Sequence, residues 1–466
     1  MAIARDGSAI WASASGVGGE SCDVPCGPWV SVDHGATWSE RSDTPGSVSA
    51  LGVWVDREDP AHVLLGVESY GVVSTIDGGQ HWRGSTGTQA PQFFGGPVAV
   101  EFDQAVGPHG FFVATMTYIG HGGLSGGSFR SFDGGLSWIP WSTTARPLAF
   151  QPVSPGRIVG SNGGAVFSDD GGATWNAATG DIEAALYLGP VAFSATRPAV
   201  VIALGAVPGP TADGIAAAWR SLDGGATWRR IAAPPMAAPP SGVLVDPLGA
   251  DSICVLSTTG ELWASADSGA TWNRRSVLAG LRRLIAASTF PPTLIGIAGN
   301  AVVLSTDGGA TWQPGGPGAT FGAKDVRLDP SEPGHVFAAG GGLWEVTLPI
   351  ATGCSTSTTA LCLNSSRFRV ELTWTDFQGN TGSGQAVPLT SDSGYFWFFA
   401  PANVELVVKV LDERAINDSF WVFFGALSNV EYRITVTDTE TGRVRFYLNP
   451  LGRLASVADT SAFPGS

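Results

Sequence analysis

A carboxylate set among small hydroxyl residues and glycines can ligate a metal, line a phosphate cradle or close a turn. This chain presents that arrangement seven times, as hydroxyl–x–Asp–x–Gly–x–x–Trp. The stretches are SVDHGATW (31–38), TIDGGQHW (75–82), SFDGGLSW (131–138), SDDGGATW (168–175), SLDGGATW (221–228), SADSGATW (265–272) and STDGGATW (305–312). Their aspartates are Asp33, Asp77, Asp133, Asp170, Asp223, Asp267 and Asp307. Their tryptophans are Trp38, Trp82, Trp138, Trp175, Trp228, Trp272 and Trp312. A calcium ion needs about six to eight oxygen ligands, and each octad brings one carboxylate, or two in SDDGGATW. No glycine-rich loop follows a strand and opens a helix, as a phosphate site requires. The turn remains. An aspartate accepts hydrogen bonds from N–H groups one to three residues on. The glycines tolerate positive φ. The tryptophan opens the next strand and tucks its ring, on the order of 200 Å², under the turn. Each octad therefore reads as a self-contained hairpin staple that does no chemistry.

Something must carry these hairpins. Successive aspartates lie 44, 56, 37, 53, 44 and 40 residues apart. A period of about 40–50 residues is that of a four-stranded propeller blade. The stretch before STDGGATW shows the unit: RRLIAAS, a Pro-rich turn, TLIGIAG, a short turn, AVVLSTD, the octad, then a strand from Trp312. Short apolar runs broken by Gly, Pro and Asp mark strands and hairpins. No segment holds a capped 3.6-residue period, so very little helix is expected.

The octads resemble the Asp-box, or BNR repeat, of sialidases, sortilin-type receptors, xyloglucanases and the photosystem II stability-factor family. The full S-x-D-x-G-x-T-W pattern stands in five of them, with His81 and Ser137 departing from it in the second and third. The resemblance covers roughly residues 1–350. It implies an all-β propeller with the octads at the outer edge of the blades, away from the central binding face. Seven blades are expected if residues 1–45 and 325–348 merge, and eight if they stay separate. Closure is favoured because it removes exposed strand edges.

After residue 350 the octads stop. Residues 351–366 read as a linker, with Cys354 and Cys362 placed for a disulfide, and 367–466 as a β-sandwich of about seven strands. RFRVELTW (367–374) and VEYRITVTD (430–438) alternate as strands with one wet face. Tyr395, Phe396, Trp397, Phe398, Phe399, Phe420, Trp421, Phe423 and Phe424 are expected in its core. The segment resembles an accessory module of secreted bacterial proteins. Cys22 and Cys26 form a second close pair, and Cys254 reads as a buried apolar residue. Paired cysteines suit an extracellular or periplasmic protein. No leader is visible, and the chain is expected to be a mature form or a fragment.

Composition narrows the partners. A net charge of −15 with only two lysines, Lys324 and Lys409, argues against nucleic acid. No apolar run reaches the roughly 18 residues of a membrane span. No cofactor or metal is expected. His109 and His121 lack a third ligand, and zinc lacks a second CxxC or His pair.

Catalysis is weighed residue by residue. A sialidase-like enzyme would need an arginine cluster, a Tyr–Glu pair and an acid/base aspartate. GRIVG (156–160) lacks the family's proline, Glu68 and Tyr70 are alternate strand residues, and Tyr118 and Tyr187 are the other propeller tyrosines. A xyloglucanase-like enzyme would need two carboxylates across a cleft. Asp56, Asp103, Asp246 and Asp329 recur after first strands, where turns explain them. The expectation is a monomeric, non-enzymatic propeller binding a protein or glycan through rim loops, foremost 117–128 and 205–217. The alternative is a glycoside hydrolase of sialidase or xyloglucanase type. An assembly factor like the photosystem II family would call for a basic patch.

Overall fold

The computed structural model describes the chain apart from residues 5–6, 14–26, 42–49, 57–58, 68–70, 88–96, 107–110, 121–122, 141–144, 153–155, 210–214, 248–250, 288, 290–291, 317–321, 330–333, 341–342, 350–352 and 465–466. Of residues 50–51 and the strands within 97–128 only the backbone is described. Cys22, Cys26, Glu68, Tyr70, His109 and His121 lie outside the described residues, as do the side chains of Asp103 and Tyr118.

The fold is a β-propeller followed by a β-sandwich. Antiparallel sheets succeed one another along the chain, over residues 2–40, 50–84, 97–140, 146–177, 187–231, 240–277, 281–314 and 325–347. We number them sheets 1 to 8. Each runs in chain order from its first strand to its last; sheet 8 has three strands, and sheet 5 gains a short parallel strand, Thr179–Gly180. The middle strands are buried on both faces, as in Val201–Val207 and Thr293–Ala298. Their neighbours on either side are other sheets, which is why they read as continuous apolar runs. Apolar clusters join sheets 1 and 2, 4 and 5, 5 and 6, and 7 and 8.

Residues 2–40 and 325–347 form separate sheets rather than the merged one toward which the sequence leaned. They are neighbours: a Cβ on Gly35 would lie 3.2 Å from the Phe337 ring, and His34 stands 3.6 Å from Asp329. Sheet 1 thus meets sheet 8 through its octad, as later octads meet the sheet before them.

Among the described residues, the two expected rim loops are mostly strand. Phe111–Gly120 and Gly123–Ser131 pair over nine positions, to Gly120↔Gly123. Val201–Val207 and Ile215–Ser221 pair over seven. Sheet 2 has five in the same place. Over their described residues, the insertions lengthen second and third strands.

The sandwich has ten strands rather than about seven. One sheet orders Ala360–Leu363, Phe368–Thr375, Glu431–Asp438 and Val444–Asn449, with Thr381–Ser383 beside the second. The other orders Gln385–Pro388, Ser393–Trp397, Leu406–Asp412, Ser419–Ala426 and Ser456–Pro464. Strand alternation splits the aromatic run. Phe396, Phe398, Phe420 and Phe424 fill the core, whereas Tyr395, Trp397, Trp421 and Phe423 are half-buried on the outer face and Phe399 is exposed. Assigning all nine to the core was too generous by half. Cys354 and Cys362 are joined, with Cα atoms 5.6 Å apart. Cys254 is buried, which pushes its thiol up to about 12.

Candidate functional site

The octads share one local geometry. In the first, the Ser31 hydroxyl donates to Asp33 Oδ1 at 2.8 Å and accepts the Gly35 N–H at 2.7 Å. Asp33 also accepts the Thr37 N–H at 2.8 Å and the Thr37 hydroxyl at 2.5 Å. The reach is four residues, beyond the one to three expected, and it explains the threonine before the tryptophan. Ser137 fills that place in the third octad at 2.5 Å, and His81 Nδ1 in the second at 2.8 Å from Asp77. Asp170, Asp223, Asp267 and Asp307 repeat the pattern.

These bonds hold the carboxylates in their charged form. The Thr37 hydroxyl, its N–H and Ser31 bring Asp33 down to about 2. For Asp307, burial pushes upward but the Thr311 donors outweigh it, and the result is about 2. Asp77, Asp133, Asp170, Asp223 and Asp267 are lowered too. Folded values lie below the ordinary 3.8, so this stabilisation is complete above pH 3.8 and drains away as pH falls toward 2. Thermal melts across pH 5 to about 2 should show the melting temperature dropping within that window. A flat profile there would contradict the octad's role.

The tryptophans divide. Trp82, Trp138 and Trp228 are buried, and the other four are half-buried. The indole N–H of Trp38, Trp138 and Trp228 donates to the octad's own glycine carbonyl at 2.8–3.0 Å. Trp272 instead donates to Ala232 O at 2.8 Å, and Trp312 to Ser276 Oγ at 3.0 Å, both on the preceding sheet. The octads are therefore not self-contained.

A second tie was missed. The first glycine carbonyl of several octads is capped by a cation or imidazole of the preceding sheet. Arg41 Nε donates to Gly78 O at 3.2 Å, Arg157 Nε to Gly224 O at 2.8 Å and Arg275 Nε to Gly308 O at 3.1 Å. His62 Nε2 stands 2.7 Å from Gly134 O. A turn carbonyl outside any ladder needs a donor, and a guanidinium fork supplies two. Arg157, the arginine of GRIVG, is thus an intersheet clamp. A signal was present: Arg41 and Arg275 each stand three residues after an octad tryptophan.

Three of the four acids expected after first strands are structural as well; Asp103 instead lies within its first strand, Pro97–Val106, paired with Val113. Asp56, Asp246 and Asp329 are buried, and their N–H groups bond to His62, Ser252 and His335 carbonyls, closing one repeated turn. Asp56 Oδ2 meets His62 Nδ1 at 3.0 Å. Burial lowers His62, but Asp56 and the Gly134 carbonyl outweigh it and raise it overall. Asp246 accepts the Thr196 hydroxyl at 2.7 Å and that of Ser194. In an antiparallel meander, the first-to-second and third-to-fourth connections share a face. These acids and the octads therefore share one face of the propeller, and the extended hairpins of sheets 3 and 5 project from the other.

Two charged clusters remain. On the first strands of sheets 7 and 8, Arg283 and Arg327 flank Asp325 at 3.0 and 3.1 Å. On the octad face, where sheets 5 and 6 meet the sandwich, Arg197 pairs with Asp251 at 2.5 Å, Asp246 at 3.6 Å and Glu431 at 3.8 Å. Arg220 stands 3.7 Å from Asp251. Among the described residues, no group of three His, Cys, Asp or Glu side chains is gathered as for a metal ion. None of the described helices is long and apolar enough to cross a membrane.

No family model matches the sequence, and no curated protein matches it. Solved structures do. YCF48 from Cyanidioschyzon merolae is 15% identical with a TM-score of 0.38, over 64% of this chain and 95% of that one. An ancestral GH74 enzyme is 12% identical with a TM-score of 0.43, over 86% of this chain and 62% of that one. A Niastella koreensis GH74 enzyme is 14% identical with a TM-score of 0.30, over 93% and 73%. These are distant likenesses.

Proposed function

We propose that this chain is a non-catalytic, monomeric, eight-bladed propeller that binds a protein or glycan on the face opposite the octads. The extended hairpins carry this reading. Nine and seven paired positions in sheets 3 and 5, against five in sheet 2, raise two walls on one face. At about 3.4 Å per residue, the taller wall stands roughly 14 Å higher. Walls of paired backbone are a rigid frame for recognition. Of the acids weighed for hydrolysis, Asp56, Asp246 and Asp329 are bonded within turns on the opposite face. The disulfide supports an extracellular or periplasmic setting.

A glycan array and a protein-ligand screen, run beside a fluorogenic glycosidase panel, test this. The expected outcome is saturable binding without turnover. Replacing residues 117–126 by a two-residue Asn-Gly turn should abolish binding and leave the melting temperature within about 3 °C. Hydrolysis of any glycoside would overturn the proposal.

A further inference from the structure

The junction between propeller and sandwich contains a buried cation with no ion pair, attracted by Asp246 only from beyond pairing distance. Arg433 stands on the sandwich strand Glu431–Asp438 and is 9% exposed. Its guanidinium lies 4.0 Å over the Phe446 ring, which holds it in place. Its Nε has no hydrogen-bond partner, and among the described residues no acid lies within ion-pairing distance of it. A buried ion left alone in this way is costly, and orphaned buried donors are uncommon.

Arg433 lines a cavity of about 210 Å³ between the two parts of the chain. Register places Ser383, Thr373, Arg433 and Leu448 in one row across four strands, with Thr381, Thr375 and Glu431 in the next. The propeller closes the cavity with Arg197, Asp251 and Ala266. The acids that line it are engaged, Asp251 by Arg197 and by the Ser268 hydroxyl at 2.7 Å and Glu431 by Arg197. Asp246, outside the lining, accepts Ser194 and Thr196 on Oδ2, while its Oδ1 stands 3.6 Å from Arg197 and attracts Arg433 only at longer range. What the cavity still offers is an unpaired guanidinium edge and a row of hydroxyls, and its missing complement is negative.

We propose that this cavity binds a small oxyanion, a carboxylate or phosphate group, with Arg433 as the anchoring cation and Thr373 and Ser383 as flanking donors. Bound there, the anion bridges sandwich and propeller and fixes their junction. A bidentate contact of this kind is what a guanidinium is shaped for. The site is separate from the ligand face proposed above and does not depend on it.

Titration of the whole chain with sodium phosphate and, separately, sodium acetate tests this, followed by calorimetry and thermal melts. Sodium chloride at matched ionic strength controls for screening. At least one of the two anions should raise the melting temperature saturably where chloride does not, and the responding arm names the class. Arg433→Gln should weaken that binding by about tenfold or more. Should Arg433→Gln fail to fold, Thr373→Val and Ser383→Ala decide, each with a measurable loss of affinity. No saturable response to either anion, an equal response to chloride, or unchanged affinity in the variants would overturn the proposal.

Discussion

Trp228→Ala is expected to destabilise the propeller by about 3–5 kcal/mol, the usual cost of removing a buried indole. Trp228 is 2% exposed and belongs to the cluster that joins sheets 4 and 5, with Val159, Val201 and Trp219. Its ring lies under the turn, where a Cβ on Gly225 would be 3.4 Å from it, and its N–H holds Gly225 O at 2.8 Å. Truncation opens a cavity between two sheets and releases the carbonyl. Trp272→Ala should cost less, because that ring is only half-buried at the margin of the cluster between sheets 5 and 6, where it also donates to Ala232. Urea unfolding followed by circular dichroism compares the two. Equal losses would mean that burial between sheets is not what makes Trp228 valuable.

Asp438→Ala is expected to cost about 3–5 kcal/mol in the sandwich. Arg367 donates from Nε to Asp438 Oδ1 at 2.9 Å and from Nη2 to Oδ2 at 2.7 Å, with both groups buried. Asp438 also accepts the Thr441 hydroxyl at 2.9 Å and the Glu440 N–H at 3.1 Å, so it closes the turn that follows its strand. Without it, the guanidinium stays pinned over Phe420 at 4.4 Å and keeps only the exposed Glu440 at 2.8 Å. Arg367→Met with Asp438→Leu should be milder, since apolar replacement of both partners leaves no stranded ion. Thermal and urea unfolding would show it. A single variant losing under about 1 kcal/mol would mean the pair is solvated in practice.

Much of the architecture was legible from short-range pattern. The octad's bonds span at most four residues, so SLDGGATW carries its own turn wherever it occurs. Alternation in RFRVELTW likewise placed Phe368, Val370 and Leu372 in the sandwich core. The same reasoning failed where one pattern serves two structures. TYIGHGGLSGGS reads as loop because glycines punctuate it, yet its backbone pairs as a long hairpin up to the Gly120↔Gly123 pair. Aromatic density hid the alternation that turns Tyr395 and Trp421 outward while Phe396 and Phe420 turn inward.

By itself, then, the sequence determined the hairpins, the strands and their repetition, because those rest on contacts within a few residues. Only the tertiary structure decided what the octads hold on to. Arg157 finds Gly224 across 67 residues and Arg41 finds Gly78 across 37. Such contacts exist only once neighbouring sheets are packed face to face around the ring. The same holds for Arg433, an ordinary wet-face residue of its strand, which becomes a buried charge without an ion pair because the propeller packs against that part of the face.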